Sequence, residues 1–110
     1  SDLTFGLWYD VNGVRYRKSS RFVELNIQKS IGGSGLTIPA WGTSDVIDTI
    51  SGFSTSYSMC IPCLYLTTNN HRELTMLAIS GSGAIKVFNN SADSIVVLDI
   101  FAYALLASNT

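Results

Sequence analysis

The chain has 110 residues, of which 46% are hydrophobic and only 14% charged, with a formal net charge of −1. A length of this order suits one domain, so residues 1–110 are read as a single unit, and near-neutrality supplies no basic field for a polyanion, which argues against nucleic acid as a partner. Charged residues fall well below the roughly 25% usual in soluble domains, so part of the apolar surplus is expected to face another copy of the chain.

Short runs of β-branched, aromatic and aliphatic residues recur between Gly, Asn, Ser and Asp clusters, the pattern of an all-β, jelly-roll-like antiparallel sandwich or barrel. Leu3, Phe5, Leu7 and Tyr9 alternate with Thr4, Gly6 and Trp8 as a first strand. Asn12-Gly13 then supplies the two positive φ angles of a tight type I′ turn. Val14 to Arg17 returns, Lys18-Ser19-Ser20 reverses the chain, and Arg21 to Ile27 follows with Val23, Leu25 and Ile27 inward and Phe22, Glu24 and Asn26 outward. The cationic cluster Arg15, Arg17, Lys18 and Arg21 is accounted for by the solvent face of this hairpin.

Ser30 to Gly35 is a loop, and Pro39 marks Leu36 to Trp41 as an edge strand or a crossing between sheets. Val46, Ile47 and Ile50 form a brief apolar segment, and Gly52 to Tyr57 a polar, aromatic loop. Met59 to Leu66 is expected to be a strand interrupted at Pro62 and ended by Asn69-Asn70, with Arg72 to Ile79 returning antiparallel. Gly81-Ser82-Gly83 makes the next reversal before Ala84 to Phe88, and Asn89 to Asp93 is the last turn. The final strand, Ile95 to Leu106, is apolar on both faces: Val96, Leu98, Ile100 and Leu106 on one, Ile95, Val97, Phe101, Tyr103 and Leu105 on the other. Two explanations stand open for it: both faces covered by its own chain, or one face packed on symmetry mates.

The apolar runs around Asp99 are shorter than the roughly 18 residues of a membrane span, so no membrane insertion is expected. Ser1 in place of Met suggests a trimmed or processed product with residues upstream. Cys60 and Cys63 in Cys-Ile-Pro-Cys match half of a redox or zinc motif, but a redox pair belongs at a helix start and zinc needs further ligands, for which His71 is the only imidazole. On an extended strand, positions i and i+3 point to opposite faces, so the two thiols are read as β-strand residues, and neither metal nor cofactor is expected.

Catalysis is poorly provided for. A Ser/His/Asp site would depend on His71, and no Gly-x-Ser-x-Gly elbow occurs; Asp45 and Asp48 point apart on an extended segment; the Gly32 to Gly35 loop lacks the lysine of a phosphate cradle. The chain is therefore read as a binding domain and not an enzyme. Hydroxyls, amides and aromatics are the mixture that stacks on and hydrogen-bonds to sugars, and Trp41, Tyr57 and His71, in or beside loops, are the candidate saccharide-binding residues. Core packing for Trp41 and a plain turn position for His71 remain the competing readings.

Val14-Arg15-Tyr16-Arg17-Lys18, a polar turn and Phe22-Val23-Glu24-Leu25-Asn26-Ile27 begin an order of segments that continues through Ile38-Pro39-Ala40-Trp41-Gly42-Thr43, Ile47-Asp48-Thr49-Ile50-Ser51-Gly52-Phe53, Met59 to Leu66, and the hairpin Leu77 to Val87 with its Gly81-Ser82-Gly83 turn. Over residues 14 to 106 this resembles the C-terminal head domains of receptor-binding or baseplate proteins at the tail tips of phages that infect Gram-positive, lactic acid bacteria. The resemblance implies a homotrimeric jelly-roll head at the end of a longer protein, located in the virion, recognising host cell-wall saccharides without cutting them. A structural baseplate or tail module binding other virion proteins is the alternative it allows, and a cellular trimeric ligand of C1q or TNF type is a further one. Cys60, Cys63 and the absence of an Arg-Pro after Gly52-Phe53 depart from the pattern, and no binding residue is carried over from that family.

Overall fold

A computed structural model describes residues 3–108, and among them every regular element is a β-strand. In chain order these are β1 (Tyr9–Val11), β2 (Val14–Lys18), β3 (Phe22–Ser30), β4 (Leu36–Ile38), β5 (Asp48–Thr49), β6 (Met59–Thr67), β7 (Arg72–Ile79), β8 (Ala84–Val87) and β9 (Ile95–Ala107). All pairings are antiparallel, in the order β1-β2-β3-β9-β6-β7-β8-β5, with β4 on the free flank of the first part of β9. The all-β expectation holds: one twisted sheet curls into a nearly closed barrel.

Alternation decides which side chains fill it. Val14 and Tyr16, Val23, Leu25 and Ile27, Ile61, Cys63 and Tyr65, Leu77 and Ile79, Ile85 and Val87 all point inward and are buried, each on the even spacing a pleated strand imposes. The inward triad of β3 agrees with the sequence pattern. Asn12 and Gly13 have φ values of 52° and 87°, as the β1–β2 turn requires, and a side chain on Gly13 would strike the Gln28 carbonyl.

Three expectations are corrected. The first strand does not run from Leu3: pairing starts at Tyr9, and all three residues of β1 are exposed. The preceding segment lies beside β2, with Gly6 N–H bonded to the Lys18 carbonyl and Phe5 and Trp8 against the Arg17 guanidinium at 4.6 and 4.8 Å, while Leu3 and Leu7 stay exposed. Pro62 does not interrupt its strand, since β6 pairs with β7 without a break through Pro62↔Met76. The ladder from β6 to β9 starts only at Leu64, so on that flank no bond near Pro62 lacks a donor.

The third correction concerns β9. Its register with β6 slips between Leu66 and Thr67, which pair with Asp99 and Val97 and leave Leu98 as the extra residue of a bulge. One extra residue inverts the alternation, so Val97 is buried together with Ile100 and Leu106 instead of sharing a face with Phe101. The strand's two apolar faces are also not both covered by its own chain: Phe101, Tyr103 and Leu105 are exposed at 42%, 61% and 51%.

The ring closes without a backbone ladder. Segment 44–50 lies along β8 through bonds from Ser44 N to Val87 O, Ile47 N to Ile85 O and Ile50 N to Gly83 O. Beyond it, the Ser51 N–H donates to the Tyr16 hydroxyl at 3.3 Å and the Ser51 carbonyl accepts from the Lys18 ammonium at 3.0 Å, tying the last strand region to β2.

Candidate functional site

The pairings sort the loops into two ends of a molecule 45 Å long. At one end lie the β1–β2 turn, the 31–35 loop, the 39–43 turn, the β6–β7 turn and the Asn89 to Ser94 loop, as shown by Thr67 and β4 flanking Val97. At the other lie the β2–β3 turn, the Ser51 to Ser58 loop, the β7–β8 turn and the end of β9, joined through bonds from Ser108 N to Arg21 O and Thr55 N to Gly81 O.

Trp41 and His71 belong to the first end, Tyr57 to the second, so the three candidate residues do not form one site. Trp41 is 59% exposed, which removes core packing as its reading. It occupies the third position of the turn closed by Gly42 N to Pro39 O, with φ of 54°, a left-handed conformation that costs an ordinary residue about 1–2 kcal/mol. What holds it there is Asn89. This fully buried side chain donates from Nδ2 to the carbonyls of Ile38, Pro39 and Asp93 at 3.1, 3.0 and 2.8 Å, while Ser91 Oγ donates to its Oδ1 at 2.8 Å. Its own backbone N–H bonds the Gly42 carbonyl, and Trp41 N–H bonds that of Ser91. The indole is thus presented from a rigid tip.

His71 sits in a tight reversal: Thr67 N–H donates to its carbonyl at 2.9 Å, and its own N–H reaches Thr67 Oγ1 at 3.3 Å. Its turn role is therefore met by its backbone. Among the described residues, no hydrogen bond or ion pair engages its imidazole.

Tyr57 stands at the mouth of an open cleft of about 520 Å³, lined also by Arg21, Phe22, Thr55, Ser56 and Ser108. The cleft exists because β6 and β9 diverge beyond the Leu64↔Phe101 pair, so that Met59 and Ala107, at their ends, form facing walls instead of a ladder. Its frame is firm. Phe53 is buried beneath the loop, Thr55 N–H is bound to Gly81 O, Thr55 Oγ1 donates to the Tyr57 carbonyl, and Ser54 N–H reaches Ser108 Oγ at 3.3 Å. Tyr57 itself is left 72% exposed. An aromatic ring, a guanidinium-bearing arm and three hydroxyl residues thus share one concave surface, a set able to stack on a sugar face and hydrogen-bond its hydroxyls.

The sequence pointed to Tyr57 but missed Arg21, Phe22 and Ser108. Arg21 read as a hairpin charge, Phe22 as an outward strand residue, and Ser108 lay beyond the expected last strand; none carries a local signal, because the cleft arises from strand divergence. The thiols lie as the spacing implied: Cys60 is exposed, Cys63 is buried on the opposite face, and burial pushes the Cys63 thiol up to about 11. No group of His, Cys, Asp and Glu side chains among the described residues is arranged to hold a metal.

A second electrostatic cluster lies outside both ends. The Glu24 carboxylate accepts from the Tyr103 hydroxyl and from Arg17 Nε, and those two bonds, Tyr103 first, hold its carboxyl below the usual range. The same bond raises the Tyr103 phenol.

The fold and the cleft together define an all-β, barrel-like domain with a pocket of ligand size at one end. No family model matches the sequence, and no curated protein matches it significantly.

Proposed function

We propose that this domain is the recognition head of a phage tail receptor-binding protein, a homotrimer at the tail tip or baseplate of the virion that holds host cell-wall saccharides and does not cleave them. The observation that carries the reading is the cleft beside Tyr57, where Phe22, Arg21, Thr55, Ser56 and Ser108 combine stacking surface with polar groups on a braced frame. Trp41, presented on its rigid turn at the opposite end, is a separate aromatic platform and would serve a second contact on an extended polymer. His71, in the β6–β7 turn, lies at the same end. The binding role is favoured over hydrolysis because no hydrogen bond or ion pair among the described residues orients the His71 imidazole.

Binding of the purified 110-residue protein to walls from candidate hosts, and to a glycan array, tests this reading. Tyr57→Ala should weaken binding roughly tenfold, the loss of about 1.4 kcal/mol that one aromatic stacking contact supplies. Since Tyr57 is largely exposed, the variant should unfold within about 0.5 kcal/mol of the parent. Unchanged affinity in Tyr57→Ala would move the site away from the cleft, and failure to bind any susceptible wall would remove the saccharide role.

The exposed apolar side chains on the outer wall favour one other reading, a structural baseplate or tail module that binds virion proteins. Capture of a tail protein by a domain that ignores cells distinguishes it.

A further inference from the structure

The outward sides of β3, β9, β6 and β7 form one surface. By register, Phe101 lies across from Leu64 and Leu64 from Leu74, while Pro62 faces Met76 and Asn26 faces Tyr103. Large apolar residues here are far more exposed than a solvated sheet face needs: Leu74 at 74%, Met76 at 48%, and Phe101, Tyr103 and Leu105 as given above. Taking about 200 Å² for a fully exposed large side chain, these five present roughly 550 Å² of mostly apolar surface. That is near the upper end of what a monomer leaves open, about 300–600 Å². It also supplies most of the roughly 800 Å² per partner that a stable protein interface buries.

We infer that this face is where copies of the chain pack against one another, with Cys60 enclosed in the contact. The inference rests on the homotrimeric reading above and gives it a location. Two features favour a second copy over a partner of different chemistry. First, the carboxylate beside Tyr103 is answered within the chain, Glu24 taking both Arg17 and Tyr103, so covering it leaves no bare ion, while Asp99 and Arg72, flanking Leu66 by register, lie toward the first end and carry opposite signs that a second copy of the same face can match. Second, the face carries both halves of a fit. Where β9 and β6 part, a shallow groove of about 410 Å³ opens between Phe101, Tyr103, Pro62 and Leu64, and Met76 and Leu105 stand beyond its two sides. Groove and knobs side by side on one surface let one part of the face meet a different part of a neighbour's around a closed three-fold ring. Cys60 shares this side, two residues from Pro62 and opposite Ala78, and is exposed in the single chain.

The thiols give a readout specific to the face. Cys63 is buried, so maleimide labelling of the folded protein reports Cys60 alone. Sedimentation mass and labelling rate are measured together across a dilution series, for the parent and for Leu74→Asp, a change at a side chain the single chain leaves exposed; Leu105→Lys serves if Leu74→Asp does not fold. The expected result is an oligomeric parent whose Cys60 labels at least tenfold more slowly than in the variant, with the variant monomeric. An oligomer in which Cys60 reacts as fast as a free thiol, or one that survives the variants, overturns this face while leaving self-association standing. A parent that stays monomeric throughout overturns both the face and the trimer, and leaves saccharide recognition to be judged by wall binding alone.

Discussion

Replacing Asn89 by Ala removes an amide whose Nδ2 serves three carbonyls and whose Oδ1 accepts one hydroxyl, all in a position with no solvent exposure. Each carbonyl keeps another donor, Pro39 the Gly42 N–H, Asp93 the Ser91 hydroxyl and Ile38 the longer bond from Ser94, so each of the four lost bonds costs about 0.5–1.5 kcal/mol. The costs do not simply add, because Ser91 is partly open to water and two N–H groups are shared among three acceptors. A loss of about 3–5 kcal/mol is expected, a large share of the 5–15 kcal/mol that domains of this kind possess. Asn89→Asp should cost more, since a carboxylate of the same shape directs acceptors at acceptors. Urea unfolding followed by far-ultraviolet circular dichroism measures both, with the slope expected to stay constant and the midpoint to fall. The Trp41 turn depends on the same residue, so indole quenching in the folded variant should rise. An Asn89→Ala protein within 1 kcal/mol of the parent, at equal slope, would refute the reasoning.

At Trp41, Gly tolerates the left-handed backbone that Ala does not, so Trp41→Gly should be about 1 kcal/mol more stable than Trp41→Ala by the same assay; equal stability would mean the turn relaxes. Gly83 combines φ of 89° with an approach that would put a β-carbon 2.5 Å from the Ile50 carbonyl, so Gly83→Ala should cost about 2–4 kcal/mol, read as a lower melting temperature. The Cys63 thiol ionises near 9.0 in the unfolded chain and at about 11 when folded. Its folded pKa is raised, so the stability it contributes is complete below pH 9 and is lost as pH climbs toward 11, about 2–3 kcal/mol in all. Cys63→Ala should flatten the decline of unfolding free energy over that interval by one proton's worth, and an unchanged slope would contradict the burial.

Strand identity was legible wherever turn chemistry and alternation coincided, as at Asn12-Gly13 and along Val23, Leu25 and Ile27. It was misleading at Leu3 to Trp8, where Leu3 and Leu7 are exposed and Phe5 and Trp8, from opposite sets of the alternation, both meet Arg17. The bulge at Leu98 has no local signature, because the slip depends on β4 replacing β3 beside β9. The cleft was half legible for a similar reason. An aromatic loop residue such as Tyr57 stands out in a sequence, whereas a gap between β6 and β9 is a long-range property of register, and it alone brings Arg21 and Ser108 to that aromatic.

A barrel completed by backbone bonds has its strand number and shear fixed together, so its girth changes only in whole register steps. Here the final join is made by side-chain atoms, the Lys18 ammonium and the hydroxyl of the buried Tyr16, reaching Ser51. Circumference on that flank is therefore set by the reach of two side chains and not by whole register steps.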